Sequence, residues 1–158
     1  AAIAALSVAG LASDRFCFEG FLPHKSSARR ERLQRLAAEP RTLVFYESSH
    51  RIEECLVDMV SIFGPDREAV LAREISKLFE TILDGNLLNI AEKVAGDPNQ
   101  RKGEFVLVIA GAPEDENAAL IEGRRLYAKL VDVMKPSQAA KIAADLSGAS
   151  RKALYGGE

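Results

Sequence analysis

Hydrophobic residues return at two different periods along this chain, and the switches between them mark its elements. Ile52, Leu56, Met59, Val60 and Phe63 share one face at helical spacing, and Gly64-Pro65 ends the run. Short apolar runs at 42–46, 69–73 and 104–110 read instead as strands, the last of them closed by Gly111. Phe16-Cys17-Phe18-Glu19-Gly20-Phe21, bounded by Asp14 and Pro23, reads as another strand. So does 79–83, ahead of an Asp84-Gly85 turn. Helices fill the intervals. One covers 1–9 and stops at Gly10; one starts at a Ser26 or Ser27 cap, carries Leu33, Leu36 and Ala37, and ends before Pro40. Ser48 or Ser49 is the expected cap of the 52–63 helix, and Asn86 that of a helix carrying Leu87, Leu88, Ile90, Ala91 and Val94. Strands alternating with helices predict an α/β fold, a mixed β-sheet with helices on its faces.

Past Gly111 the pattern changes. Residues 111–117 are rich in Gly, Pro and acids and read as a linker. Beyond them only helical spacing is found. One helix covers 119–133; a second opens at Pro136-Ser137, turns Ala140, Ile142, Ala143 and Leu146 inward and closes at Gly148; Ser150 caps a short third. Two short helices joined by Ser147-Gly148-Ala149 resemble a helix-turn-helix. The expected organisation is therefore an α/β body, 1–115, and a helical appendage, 116–158.

Composition adds charge to this picture. The net charge of the 158 residues is −2, but it is unevenly spread. Residues 24–41 hold six Lys/Arg against two acids, and 124–158 hold seven against three. Two basic segments on an acidic body point to an anionic partner, with solvated helix faces as the plain alternative. No apolar run is long enough to cross a membrane. The amino terminus lacks the basic flank of a signal peptide. It also starts without Met inside a helical pattern, so an upstream segment is expected. Cys17 and Cys55 sit among apolar residues and read as free thiols.

Candidate chemistry concentrates in Phe45-Tyr46-Glu47-Ser48-Ser49-His50-Arg51, where a buried strand becomes a helix. The carboxyl end of a strand is where α/β sheets build ligand sites. His50 and Arg51 are expected in the helix's first turn, where cations oppose the macrodipole. A task such as holding a carboxylate or phosphate would explain that placement; a plain Glu47–Arg51 ion pair with His50 in solvent would too. A second cluster is Leu71-Ala72-Arg73-Glu74, followed by Lys77, Phe79, Glu80 and Thr81, with Arg73 and Glu80 as a possible pair. A third is Arg101-Lys102-Gly103-Glu104, where Gly103 permits close approach of a ligand to the backbone. No GxGxxG, P-loop, HExxH or CxxC occurs, so neither a dinucleotide loop nor a metal site is indicated. A Ser-His-Asp hydrolase lacks its elbow motif.

Four segments occur in order: 16–23, 41–51, 71–74 and 102–104. Together with Pro136-Ser137-Gln138-Ala139-Ala140-Lys141 and Ser150-Arg151-Lys152-Ala153-Leu154-Tyr155 they resemble the tetrapyrrole (corrin/porphyrin) methylase family. The likeness is to its members that methylate a cytidine ribose 2′-hydroxyl in bacterial 16S ribosomal RNA. It implies two α/β lobes with S-adenosylmethionine between them, this chain supplying the second lobe and the tail. The first lobe's part of the pocket would then be missing, and the chain alone should not methylate. The resemblance places cofactor contacts at Ala1, Tyr46, Ala72, Glu104 and Phe105, with Phe16, Glu19, Gly20, Arg73 and Glu74 lining the cleft. It assigns catalysis to Glu47, His50 and Arg51, with Glu47 or His50 as the base. Arg29, Arg30, Arg32, Lys102, Arg151 and Lys152 would meet RNA phosphates. It further implies a 30S subunit substrate, a homodimer in the full-length protein, a cytoplasmic location and no membrane. Two alternatives stand beside it: a methylase of small tetrapyrroles, and a non-catalytic nucleic-acid-binding module in which 124–158 binds through Arg151 and Lys152.

Overall fold

A computed structural model describes Ala1–Tyr155. It divides into two compact units, Ala1–Ala112 and the segment that begins at Pro113. The first unit runs α1 (Ala2–Ala9), β1 (Phe16–Phe21), α2 (Ser26–Leu36), β2 (Thr42–Ser48), α3 (Ile52–Phe63), β3 (Glu68–Arg73), β4 (Thr81–Asn86), α4 (Leu87–Gly96), a 3₁₀ turn (Pro98–Arg101) and β5 (Glu104–Ile109). The strands form one sheet in the order β1-β2-β5-β3-β4. β1 and β2 are parallel; every other pair is antiparallel. The mixed α/β sheet expected from the alternation of elements is what forms.

Period-two alternation sorts the central strands by side-chain size. Leu43 and Phe45, Ala69 and Leu71, and Phe105, Leu107 and Ile109 point to one face. There they meet Leu33 of α2, Ile52, Leu56 and Met59 of α3, and Ile90 and Val94 of α4. Val44, Val70, Ala72, Val106 and Val108 point to the other face, where Ala5 and Leu6 of α1 are buried with them and Ala2, Ala9, Leu11, Ile75 and Ile82 pack around the edge. The sheet thus has a thick side and a thin one.

Four local expectations are corrected. Lys25, not Ser26 or Ser27, precedes α2, and no side chain caps it. Arg51 occupies the N-cap position of α3, again without a side-chain cap, because Ser48 is still paired in β2. β4 begins at Thr81 rather than Phe79, since Thr81 is the residue that pairs Arg73. Phe79 is 70 % exposed in the connecting loop, and Asp84-Gly85 lies inside the edge strand. Asn86, by contrast, caps α4 as its sequence suggests, accepting from Asn89 N at 2.9 Å.

The second unit is helical: α5 (Glu116–Leu130), α6 (Pro136–Ser147) and α7 (Arg151–Tyr155). Asp115 accepts from Asn117 N and Ala118 N, both at 3.1 Å, and so starts α5 earlier than the linker reading allows. Gly148, in the left-handed conformation, ends α6. Its core is small: Ala139, Ala140, Ala143 and Leu154. Ile142 and Leu146, expected inward, are exposed, because the three alanines define the inner arc of α6. Among the described residues no helix is long and apolar enough to cross a membrane.

Candidate functional site

The strand end of β2 divides its residues between the two faces. Tyr46 continues the row of Val44 on the thin side, whereas Glu47 follows Phe45 under the helical layer. Glu47 is fully buried; its Oε1 accepts from Ser48 N at 2.8 Å, and its Oε2 lies 3.6 Å from Arg51 Nη2. Arg51 Nη2 also donates to Leu22 O at 2.7 Å and Pro23 O at 2.9 Å, and Nη1 lies 3.3 Å from His24 Nδ1. Arg51 therefore staples the start of α3 to the chain leaving β1. Cys55, one turn into α3, has its thiol pushed well above the ordinary range, by burial first and by the charge of Glu47 second. His50 is exposed in the turn before α3. Neither cation is in the first helical turn, which carries Glu53 and Glu54 instead, so the expected conflict with the macrodipole does not arise.

On the thin side a pocket of about 580 Å³ opens at the end of β2. Ala1, Tyr46, Glu104 and Phe105 line it, as do Glu47, Ser48 and Ser49. Ala72 is not among its walls; it is wholly buried against α1. Phe16, Glu19 and Gly20 do not line it, and Phe21 of the same strand does. Lys77 and Ile75 from the β3–β4 loop, with Gly103 just before β5 and Val106 within it, complete it. Sequence spacing gives no sign of Ile75 in this wall: the loop turns through two non-glycine residues at positive φ, Glu74 and Ser76, which no motif announces.

Arg73 and Glu74 belong to a neighbouring hollow with Phe79, Asn99, Lys102 and Gly103. Arg73 donates to Lys102 O at 3.2 Å and to Thr81 Oγ1 at 2.9 Å. It is not paired with Glu80, which accepts from Ser76 N at 2.6 Å. Glu74 accepts from Glu104 N at 2.7 Å and from Lys77 Nζ at 3.2 Å, and these two bonds, the backbone one first, lower its pKa. Gly103 has a φ of +106°, and a Cβ there would lie 2.5 Å from the Glu74 side chain. The space that its missing side chain leaves is taken by Glu74 rather than held open for a ligand.

The basic stretch 24–41 is largely spent within the fold. Arg29, 2 % exposed, donates to Asp58 Oδ2 at 2.7 Å and reaches Glu54 at 3.4 Å. Arg30 takes the other oxygen of Asp58 at 2.8 Å, and Arg32 pairs with Glu19. Burial works to raise the pKa of Asp58, but the bonds from Arg29 and Arg30 outweigh it and hold the carboxyl low. Arg29 is thus no surface cation, a correction to its place among the RNA contacts. Lys102 lies 3.3 Å from Asn99 Oδ1, Arg151 reaches Ser137 O at 3.4 Å, and Lys152 is exposed.

Two family models match the chain: "Tetrapyrrole (Corrin/Porphyrin) Methylases" over residues 1–91, and "RsmI C-terminal HTH domain" over 117–156. The ribosomal RNA small subunit methyltransferase I of Xylella fastidiosa strain 9a5c is 61 % identical over 157 residues, covering 99 % of this chain and 58 % of its own length. That of Pseudomonas aeruginosa is 50 % identical, covering 98 % of this chain and 56 % of its own. The chain thus spans less than two thirds of the length of these relatives. Among solved structures, the methyltransferase CobJ superposes with a TM-score of 0.52 at 21 % identity, over 71 % of this chain and 48 % of that one, a likeness of fold. With its body matched from the first residue to α4, the chain belongs to the tetrapyrrole (corrin/porphyrin) methylase family.

Proposed function

We propose that this chain forms the carboxyl-terminal part of an S-adenosylmethionine-dependent methyltransferase that modifies the ribose 2′-hydroxyl of a cytidine in 16S ribosomal RNA of the 30S subunit. One observation carries the reading. A chain matched almost end to end by ribosomal RNA methyltransferases has Ala1, Tyr46, Glu104 and Phe105 around one pocket at the carboxyl end of β2. The walls suit the methyl donor. About 580 Å³ is the volume of a small-molecule site. The apolar side chains of Phe105 and Val106 suit an adenine, and Glu104 brings a carboxylate. The donor, when bound, supplies an electrophilic methyl group.

The chain's own residues then have to position the ribose, and positioning carries much of such a reaction. Of the two candidate bases, His50 is the accessible one; Glu47 is occupied with Ser48 and Arg51. Arg30, Arg32, Lys102, Arg151 and Lys152 are the proposed phosphate contacts. A homodimeric, cytoplasmic enzyme is part of the same reading, as is the inactivity of this chain by itself. The test is methyl transfer to 30S subunits that lack the modification, using the chain extended to its relatives' full length. Label is expected on a cytidine 2′-oxygen, and none with the 158 residues alone. Transfer to a base, or none with the extended chain, defeats the proposal.

A further inference from the structure

Phe16, Phe18 and Phe21 of β1 are 37, 52 and 62 % exposed, although Leu43, Val44 and Phe45 of β2 and Leu107, Val108 and Ile109 of β5 are fully buried. The last two are held outward by a device. Between Phe18 and Gly20 the pairing with β2 skips Glu19, and Gly20 takes a φ of +65°. In an unbroken strand Phe18 and Phe21 would point to opposite faces. The bulge returns both to the thin side, next to Tyr46. Phe18 meets the Tyr46 ring edge-on at 4.9 Å and 70°, and Phe21 does so at 5.7 Å and 65°. Tyr46 is itself fixed, its hydroxyl accepting from Ala2 N at 3.3 Å. Phe21 and Tyr46 also line the pocket, together with the hydroxyls of Ser48 and Ser49, the carboxylate of Glu104, and Lys77, which Glu74 and Glu104 hold.

We propose that Phe18, Phe21 and Tyr46 form a stacking platform for one unpaired nucleobase of the RNA substrate, beside the pocket. The proposal rests on the RNA-methyltransferase reading above. Rings set edge-to-face leave π-faces free, and base recognition outside a duplex uses such faces. Hydroxyls at the rim match the ribose that accompanies a base. A methyltransferase acting on one ribose must hold that nucleotide out of its stack, and the rings adjoin the place where the methyl donor is proposed to sit.

Leucine at Phe18 or Phe21 keeps apolar bulk and removes the π-face. Two readouts apply to F18L and F21L: fluorescence anisotropy of a labelled oligocytidylate hexamer on the chain, and KM for unmodified 30S subunits on the chain extended to its relatives' full length. Each substitution should weaken hexamer binding about tenfold and raise KM similarly. Calorimetric affinity for S-adenosylmethionine should stay within twofold, and F21Y should restore binding. Hexamer binding equal to the unsubstituted chain overturns the platform and makes the rings a packing surface. An equal loss of donor affinity also overturns it, moving the rings into the donor site. Failure of the extended, unsubstituted chain to methylate 30S subunits, with the hexamer effect intact, removes the methyltransferase reading and leaves the platform standing.

Discussion

On one face of the sheet α2, α3 and α4 bury leucines, isoleucines, phenylalanines and a methionine; on the other, an eight-residue helix covers valines and alanines and leaves the rings of β1 in the open. The faces also differ in how they treat charge. Beneath the helical layer each buried charge has a partner, Arg29 with Asp58 and Glu47 with Arg51. Around the pocket on the thin face the polar groups are exposed or shared, as with Lys77 between Glu74 and Glu104. A single sheet can thus be over-secured on one side and stay receptive on the other. The cost is confined to a few side chains that solvent reaches.

The contrast is most directly broken at Phe45, which fills the thick side. Phe45→Ala should cost about 3–5 kcal/mol, read as a fall in the urea midpoint. Asp58→Asn should come next, at about 3 kcal/mol, because it leaves Arg29 buried without its anionic partner. The sign of its pH dependence follows from Asp58 being held below the ordinary carboxylate range. Such a group contributes stability that is complete above pH about 4 and is lost as pH falls through its folded value. Asp58→Asn should therefore flatten the acid limb of the stability profile; an unchanged limb would mean that Asp58 is not titrating as argued.

Glu47→Gln retains the bond from Ser48 N and removes the charge opposite Arg51. A loss of about 1–2 kcal/mol is expected, with methyl transfer by the extended chain reduced less than by His50→Ala. The reverse order would return Glu47 to the role of base. On the thin face, Tyr46→Phe removes only a 3.3 Å bond and should shift the urea midpoint by less than about 1 kcal/mol equivalent. A larger loss would erase the difference between the faces. The smallest effect is a rate: in the native chain Ellman's reagent should modify half-buried Cys17 and spare Cys55, whose thiol burial keeps protonated.

Periodicity and punctuation carried much of the fold. β1 has the bounds its aromatic run suggests, and α3 the apolar face of Ile52, Leu56, Met59 and Phe63. Asn86 and Gly148 end or begin helices as their chemistry requires. What escaped was set by partners distant in sequence. Phe79 looked like a strand residue until pairing with Arg73 gave that place to Thr81. Arg29 looked like a surface cation until α3 brought Asp58 beside it. Within the site, the strand end at Tyr46 and Glu47 was legible because its residue types are unusual there. Their division between two faces was not, because it depends on how far β2 runs before α3 begins, and Ser48 extends it.

The skipped residue in β1 also bears on how such chains should be compared. The strand contains six residues, but its ladder with β2 has five rungs, and Glu19 stands outside the count. Removing Glu19 would leave Phe18 opposite Val44 and Phe21 opposite Tyr46, as they are now. The rings keep their rungs while the spacing of the letters changes. A relative with one residue fewer between its two aromatics would therefore be equivalent in three dimensions, and an alignment that penalises the gap would shift one ring to the wrong partner. Glu19, freed from the ladder, is the residue that reaches across to Arg32 of α2.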